Sequence, residues 1–344
     1  MGITYEKSGV DINAADETKK KMAGYIDGKN GRVLNKTGAF ASVYDIKFPE
    51  IKNPVLVLKT EEPGSKQKLA AEYDKIENVC YDMINHLTND ILVMGATPLT
   101  VQDAIICGKM QPDIVERIVK TIARACLENG SVLTGGETSE QPNVVEKGTY
   151  ILTSSIVGIA ERDGLIDGVA IVEGDTVLAI ASNGIHTNGY SFLRLLMKEK
   201  PEVINADICG EKFIDVILKP HRSYYNELIG LFKNADLHGM AHITGGGIKG
   251  NLNRILPCNL SAVIDLSKIR LLPIFKFIKA VTDTDDYELL KTFNMGVGMT
   301  IVVRAGSEDF FIDHMAKYGA DCYPIGKITE GNKTVIFEGG LPSN

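Results

Sequence analysis

A two-domain α/β architecture follows from three features of this chain. Its 344 residues exceed what one hydrophobic core normally organises, and an apolar content of 44% is ample for two. Beyond Glu173, apolar runs of strand character alternate with segments of helical spacing, which argues for an α/β or α+β second half. Between two strong strands, charged residues cluster with Gly164 and Gly168 over the stretch from Arg162 to Glu173, and this marks the division. Residues 1–165 are therefore assigned to an N-terminal domain and 166–344 to a C-terminal one.

Taken in order, the first 48 residues are polar, and Lys19, Lys20 and Lys21 form a short charge run suited to a solvated helix face. Pro54–Leu58 predicts a strand and Tyr73–Leu87 a helix, after which Asn89 and Asp90 precede the apolar run Ile91–Ala96. Pro98 interrupts any helix, so Thr100–Cys107 reads as a strand, and Ile114–Leu127 is an amphipathic helix. Ser131, Val132 and Leu133 lead into Gly135-Gly136-Glu137-Thr138-Ser139-Glu140, expected as a loop carrying two carboxylates just after a strand. Tyr150–Ala160 is a long apolar strand that closes the first domain. In the second, strands are expected around 176–182, 239–244, 261–266 and 297–303, with helices around 190–198, 222–233, 248–256 and 308–318.

A net charge of −7 with both signs interspersed offers no cationic stripe for nucleic acid or anionic membrane. The apolar runs fall short of the roughly 18 residues a membrane span needs and the N-terminus is polar, so a soluble, cytoplasmic protein is expected. Six scattered cysteines without CxxC spacing read as reduced core residues. The six histidines lack HExxH spacing, and no transition-metal site is expected from them.

Two glycine-bearing turns carry the chemistry. Gly184-Ile185-His186-Thr187-Asn188-Gly189-Tyr190-Ser191 joins a buried strand to a helix, a geometry in which backbone N–H groups can approach an anion. Ala241-His242-Ile243-Thr244-Gly245-Gly246-Gly247 does the same, and three glycines in a row are entropically costly for a purely structural turn. Histidine suits proton handling near neutral pH, so His186 is a candidate functional group, whereas His242, ending an apolar strand, reads as structural.

In these motifs, and in Tyr5–Ile12, Asn89–Pro98, Gly135–Pro142, Thr292–Met299 and Ile325-Gly326, the chain resembles the aminoimidazole ribonucleotide synthetase family over nearly its full length. Selenophosphate synthetase, thiamine-monophosphate kinase and the hydrogenase-maturation dehydratase share that architecture, yet the Gly184–Ser191 and Phe293–Met299 motifs point to the cyclising branch. The resemblance implies a homodimer whose N-terminal domains join strands into a β-barrel, with an α/β C-terminal domain and ligands held between the two. It also implies a reaction in which ATP activates the formyl oxygen of formylglycinamidine ribonucleotide and an internal nitrogen closes the imidazole ring. Positioning and charge neutralisation dominate such phosphoryl chemistry. By match of position, the catalytic candidates are Asp90, His186 and Lys66. Gly38, Thr60, Glu61, Gly64, Ser65, Asn89, Gly135 and Gly136 are nucleotide-side candidates, and Glu61, Asp90 and Glu137 would hold Mg²⁺. Thr187, Asn188, Ser191, Thr244, Gly245, Gly246 and Gly247 are the candidates for the phosphorylated substrate.

One motif departs from the family. Its Thr-Asp-Gly-Val-Gly-Thr-Lys reads here as Thr60-Glu61-Glu62-Pro63-Gly64-Ser65-Lys66, which lengthens the carboxylate, adds a charge and removes an N–H where phosphates would lie. Thr37-Gly38-Ala39-Phe40 is a thinned glycine segment, and Ile151 occupies a family acidic position. Lys66 and Ser65 remain able to reach an oxyanion. Besides the cyclo-ligase, a paralogue acting on another amide and a non-catalytic binder of a phosphorylated ligand stay open.

Overall fold

The computed structural model describes residues 17, 20–22, 24–26, 30–35 and 39–342. Tyr5–Ile12 and Gly38 lie outside them. The chain divides into two compact units, one of residues 1–91 and 96–163, the other of residues 92–95 and 164–344.

The first unit is built on a four-stranded sheet of β1 (Pro54–Glu61), β2 (Thr97–Cys107), β3 (Val132–Glu140) and β4 (Tyr150–Glu161), in the order β1-β4-β2-β3. β4 runs antiparallel to both neighbours, whereas β2 and β3 are parallel and joined by the helix Pro112–Glu128, as a parallel pair requires. That helix buries Val115, Ile118, Val119, Ile122 and Cys126, and the helix Ile76–Leu92 buries Val79, Met83, Ile84, Leu87 and Ile91. Strand alternation sends Leu152, Ile156, Val101 and Ile105 to the buried face, while Leu56 and Leu58 on β1 remain 54% and 68% exposed. Pro98 lies within β2 at a register shift between Pro98 and Thr100, where a residue without an N–H is tolerated.

Three expectations change here. Glu61 ends a strand that runs from Pro54, three residues beyond the expected Leu58. The helix expected to stop at Leu87 continues to Leu92, so Asn89 and Asp90 are helical. Gly135–Glu140, expected as a loop, is strand: each residue pairs with β2, from Gln102↔Gly135 to Cys107↔Glu140. Its glycines and polar side chains carry a loop signature, but the parallel ladder satisfies the backbone regardless.

In the second unit a six-stranded sheet has the order β12-β9-β11-β5-β10-β8. Its strands are β5 (Thr176–Ala181), β8 (Leu237–His242), β9 (Leu260–Asp265), β10 (Val297–Val303), β11 (Cys322–Glu330) and β12 (Val335–Glu338), while β6 (Asp207–Ile208) and β7 (Glu211–Lys212) form a separate ribbon. Every residue of β8 and β10 is buried, which requires cover on both sheet faces. Leu178, Ile180, Met240, Met299, Ile301, Tyr224, Phe311 and Met315 form one core cluster. The helix expected over 222–233 shrinks to Tyr225–Leu228, with Gly230, a poor helix former, two residues on. No helix among the described residues is long and apolar enough to cross a membrane.

Candidate functional site

In the first unit the end of β1 meets the last turns of the helix Ile76–Leu92. Glu61 and Asp90 converge on one cation: Lys59 Nζ lies 3.1 Å from Glu61 Oε2 and 3.0 Å from Asp90 Oδ2. His86, one helical turn before Asp90, places Nε2 3.6 Å from Glu61 and 3.5 Å from Asp90. Partial burial works to lower the Lys59 pKa, but the two carboxylates outweigh it and raise it. Neither Lys59 nor His86 was marked by the sequence motifs, because their role arises from strand alternation and helical spacing that bring the ends of two segments to one point.

Other expected residues are placed elsewhere. Lys66 is corrected as a group that reaches an oxyanion: it is fully buried, and its ammonium contacts both oxygens of the equally buried Asp82 at 2.9 Å. Burial lowers its pKa and Asp82 opposes that shift. Such a pair holds the protein together, since removing one partner leaves an uncompensated buried charge. Thr60 hydrogen-bonds Ser155 Oγ across the sheet at 2.8 Å, Gly64 is left-handed with φ 64°, and Ser65 precedes the helix Lys66–Glu72 without capping it through its side chain. Asn89 is fully buried.

Glu137 is corrected as the third metal ligand of Glu61 and Asp90. It is exposed on β3, three strands from β1 and so about 14 Å away at ordinary strand spacing. The residues that do share a row with Glu61 are Ser154, Asp103 and Gly136. A Cβ on Gly136 would come within 1.9 Å of the Asp103 carboxylate, so that acid needs the bare glycine beside it. Burial pushes the Asp103 carboxyl up to about 7, against a backbone hydrogen bond that lowers it. Gly135 lies next in β3, with Ser42 the nearest atom to a Cβ there at 3.4 Å. Ile151 is 36% exposed on β4.

In the second unit the two glycine-bearing turns leave β5 and β8 beside the start of β10, because Ala181 pairs with Val297 and His242 with Met299. Asn294 fastens the first turn: its Nδ2 donates to the carbonyls of Gly184 (2.9 Å) and Ile185 (3.2 Å), and its Oδ1 accepts from Ser182 Oγ and the Gly296 N–H. His186 sits at φ 64°, a left-handed conformation that this clamp and the Tyr190 hydroxyl, donating to the His186 carbonyl at 3.1 Å, hold in place. Asn188 lies against the second turn, its Oδ1 3.1 Å from where a Gly245 Cβ would be. Thr244 and Gly247 are tied by Asn251, which accepts from Thr244 Oγ1 and donates to the carbonyls of Gly245 and Gly247. Gly246 is left-handed, φ 91°, at the head of the helix Gly247–Ile255, and Gly245 and Gly246 are exposed. Ser191 is exposed in the first turn of the helix Tyr190–Glu199.

His242, read from sequence as structural, faces two other histidines. His221 Nε2 is 2.9 Å from His242 Nε2, and the His186 and His221 rings stack with centroids 4.0 Å apart. No sequence spacing could have grouped residues 35 and 21 positions apart on three different segments.

A family model described as AIR synthase related protein, N-terminal domain, matches residues 40–160, and the corresponding C-terminal domain model matches 172–338. Fold and glycine turns thus define a two-domain AIR synthase related protein. A phosphoribosylformylglycinamidine cyclo-ligase of Methylobacillus flagellatus is 38% identical over 327 residues, covering 95% of this chain and 94% of its own length. One from Staphylococcus carnosus is 34% identical and covers 99% of each. The chain belongs to this family, the aminoimidazole ribonucleotide synthetases. Two solved structures share its fold: Escherichia coli HypE (TM-score 0.68, 14% identity, 94% of each chain) and thiamine-monophosphate kinase from Stenotrophomonas maltophilia (0.65, 16%, 95% and 96%).

The Asp103 carboxyl yields a prediction with a definite sign. An acid whose folded pKa of about 7 stands above its unfolded value near 3.9 contributes stability at low pH that is lost as pH rises between those values. Asp103→Asn should therefore be more stable than the parent above pH 7 by a few kcal/mol, with the difference shrinking toward pH 4. Urea unfolding across that range reads it; a pH-independent difference would refute the assignment.

Proposed function

We propose that this chain closes the imidazole ring of purine biosynthesis, converting formylglycinamidine ribonucleotide to 5-aminoimidazole ribonucleotide with ATP. The observation that carries the reading is likeness to cyclo-ligases over 95% or more of the chain and 94% or more of the relatives' own length. The glycine turns of the second unit support a phosphorylated substrate: exposed Gly245 and Gly246 offer backbone N–H groups at a helix start, flanked by Thr187, Asn188, Ser191 and Thr244. His186 is assigned to proton donation toward the amide oxygen or phosphate, its backbone fixed by Asn294.

Glu61 and Asp90 suit Mg²⁺, since two carboxylates converging on one cation, completed by substrate phosphates, match its usual coordination. When bound, the ion neutralises phosphate charge. Lys59 already supplies one positive charge at that point, so it competes with the ion or shares its task. Gly64, Ser65, Asn89, Gly135 and Gly136 are proposed on the nucleotide side with Asp90. The homodimer implied by the family is supported by Leu56 and Leu58, apolar, exposed and in register on edge strand β1, with Ile151 on β4.

Purified protein given formylglycinamidine ribonucleotide, ATP and Mg²⁺ should form the aminoimidazole; no turnover where a relative works would end the cyclo-ligase reading and leave the non-catalytic binder. Lys59→Met should lower the Mg²⁺ concentration for half-maximal turnover severalfold, and an unchanged requirement would show that the ammonium does not occupy the ion's place. Sedimentation should give a dimer that Leu58→Asp weakens at least tenfold; a monomeric parent would remove the dimer from the proposal.

A further inference from the structure

Three buried imidazoles converge in the second unit, and their arrangement exceeds what ring closure asks of them. His186, His221 and His242 are 2%, 1% and 5% exposed, and one ring nitrogen of each lies within 4.8 Å of the others. They come from separate, well-anchored segments: a left-handed turn clamped by Asn294, the stretch after the helix Phe213–Ile217, and the end of fully buried β8. Gly298 makes room for them, because a Cβ there would sit 1.8 Å from Tyr224 Oη and 2.9 Å from His186 Cε1.

We propose that His186, His221 and His242 form a binding site for a divalent transition ion of the Zn²⁺ class. Neutral imidazole is a preferred ligand for Zn²⁺, Co²⁺ and Ni²⁺, and three imidazoles with one open position make a familiar zinc geometry. At a metal–nitrogen distance near 2.05 Å, tetrahedral ligand nitrogens stand about 3.4 Å apart. The His221 and His242 Nε2 atoms, at 2.9 Å, need only open by about half an ångström around an ion. His186 joins them by a rotation of its stacked ring. In the protein alone, one of those two Nε2 atoms donates its hydrogen to the other; binding needs both lone pairs, so that proton moves to the donor's Nδ1. Thr187 Oγ1, 3.4 Å from His221 Nδ1, stands where an outer partner would orient that ring. The fourth position would take water or an oxygen of a bound ligand.

The test reads metal rather than turnover. Chelator-stripped protein titrated with Co²⁺ should bind one ion per chain and develop the visible absorption of a tetrahedral nitrogen site, and Zn²⁺ should displace it and raise the melting temperature. His221→Asn should weaken binding at least tenfold, His221→Cys should retain the ion with a shifted, sulfur-type spectrum, and His314→Gln, outside the cluster, should leave binding unchanged. Circular dichroism establishes that each variant is folded; should His221→Asn fail to fold, His221→Cys decides alone. No tetrahedral Co²⁺ spectrum, equal affinity in folded His221→Asn, no sulfur band in folded His221→Cys, or loss of the ion in His314→Gln would each overturn the proposal.

Discussion

The antiparallel pairing of β5 with β10, inside the six-stranded sheet, is the constraint on which the second unit's chemistry depends. Burial on both faces fixes the register of β10, since a one-residue slip would exchange every side chain between two filled cores. With that register set, the turn after β5, the turn after β8 and the Asn294–Gly298 segment are gathered at one end of the sheet. The polar groups there inherit their precision from apolar packing: Leu178, Ile180, Met299 and Ile301 hold the strands whose ends hold the histidines.

Ions in the first unit follow two different logics. Lys66 and Asp82 are sealed from water, so their attraction is unscreened and their separation from solvent is costly to reverse. Lys59, Glu61 and Asp90 stand partly open and can exchange partners, with His86 buried beside them. Similar residue types thus divide between architecture and chemistry according to accessibility alone. A carboxylate pair already matched by an ammonium is a milder attractor for a divalent ion than a bare pair would be, which is consistent with a nucleotide loop that has also lost a glycine and gained a charge.

What the sequence made legible was local. Strand-to-helix turns announce themselves by glycines next to apolar runs, so Gly184–Ser191 and Thr244–Gly247 were placed correctly on their elements. Burial was not legible: Lys66 sits in a motif that suggests a ligand, and nothing in its neighbours shows that Asp82, sixteen residues on, encloses it. Nor was pairing, which turns Gly135–Glu140 into strand and carries Glu137 away from Asp90. His221 and Asp103 gain their significance from partners far along the chain, and no periodicity records such distances.

The buried Lys66–Asp82 pair also bears on the altered loop beside it. Glu61 is fixed by the β1 ladder and Lys66 by its ion pair, leaving four residues, Glu62 to Ser65, strung between two anchors. At about 3.5 Å per residue such a short leash has little slack, and Pro63 stiffens it further. It cannot swing open and fold down over a ligand as a lid would. Whatever shape this segment offers to a nucleotide is the shape it keeps, so accommodation in this lineage has been written into the residues themselves rather than left to motion.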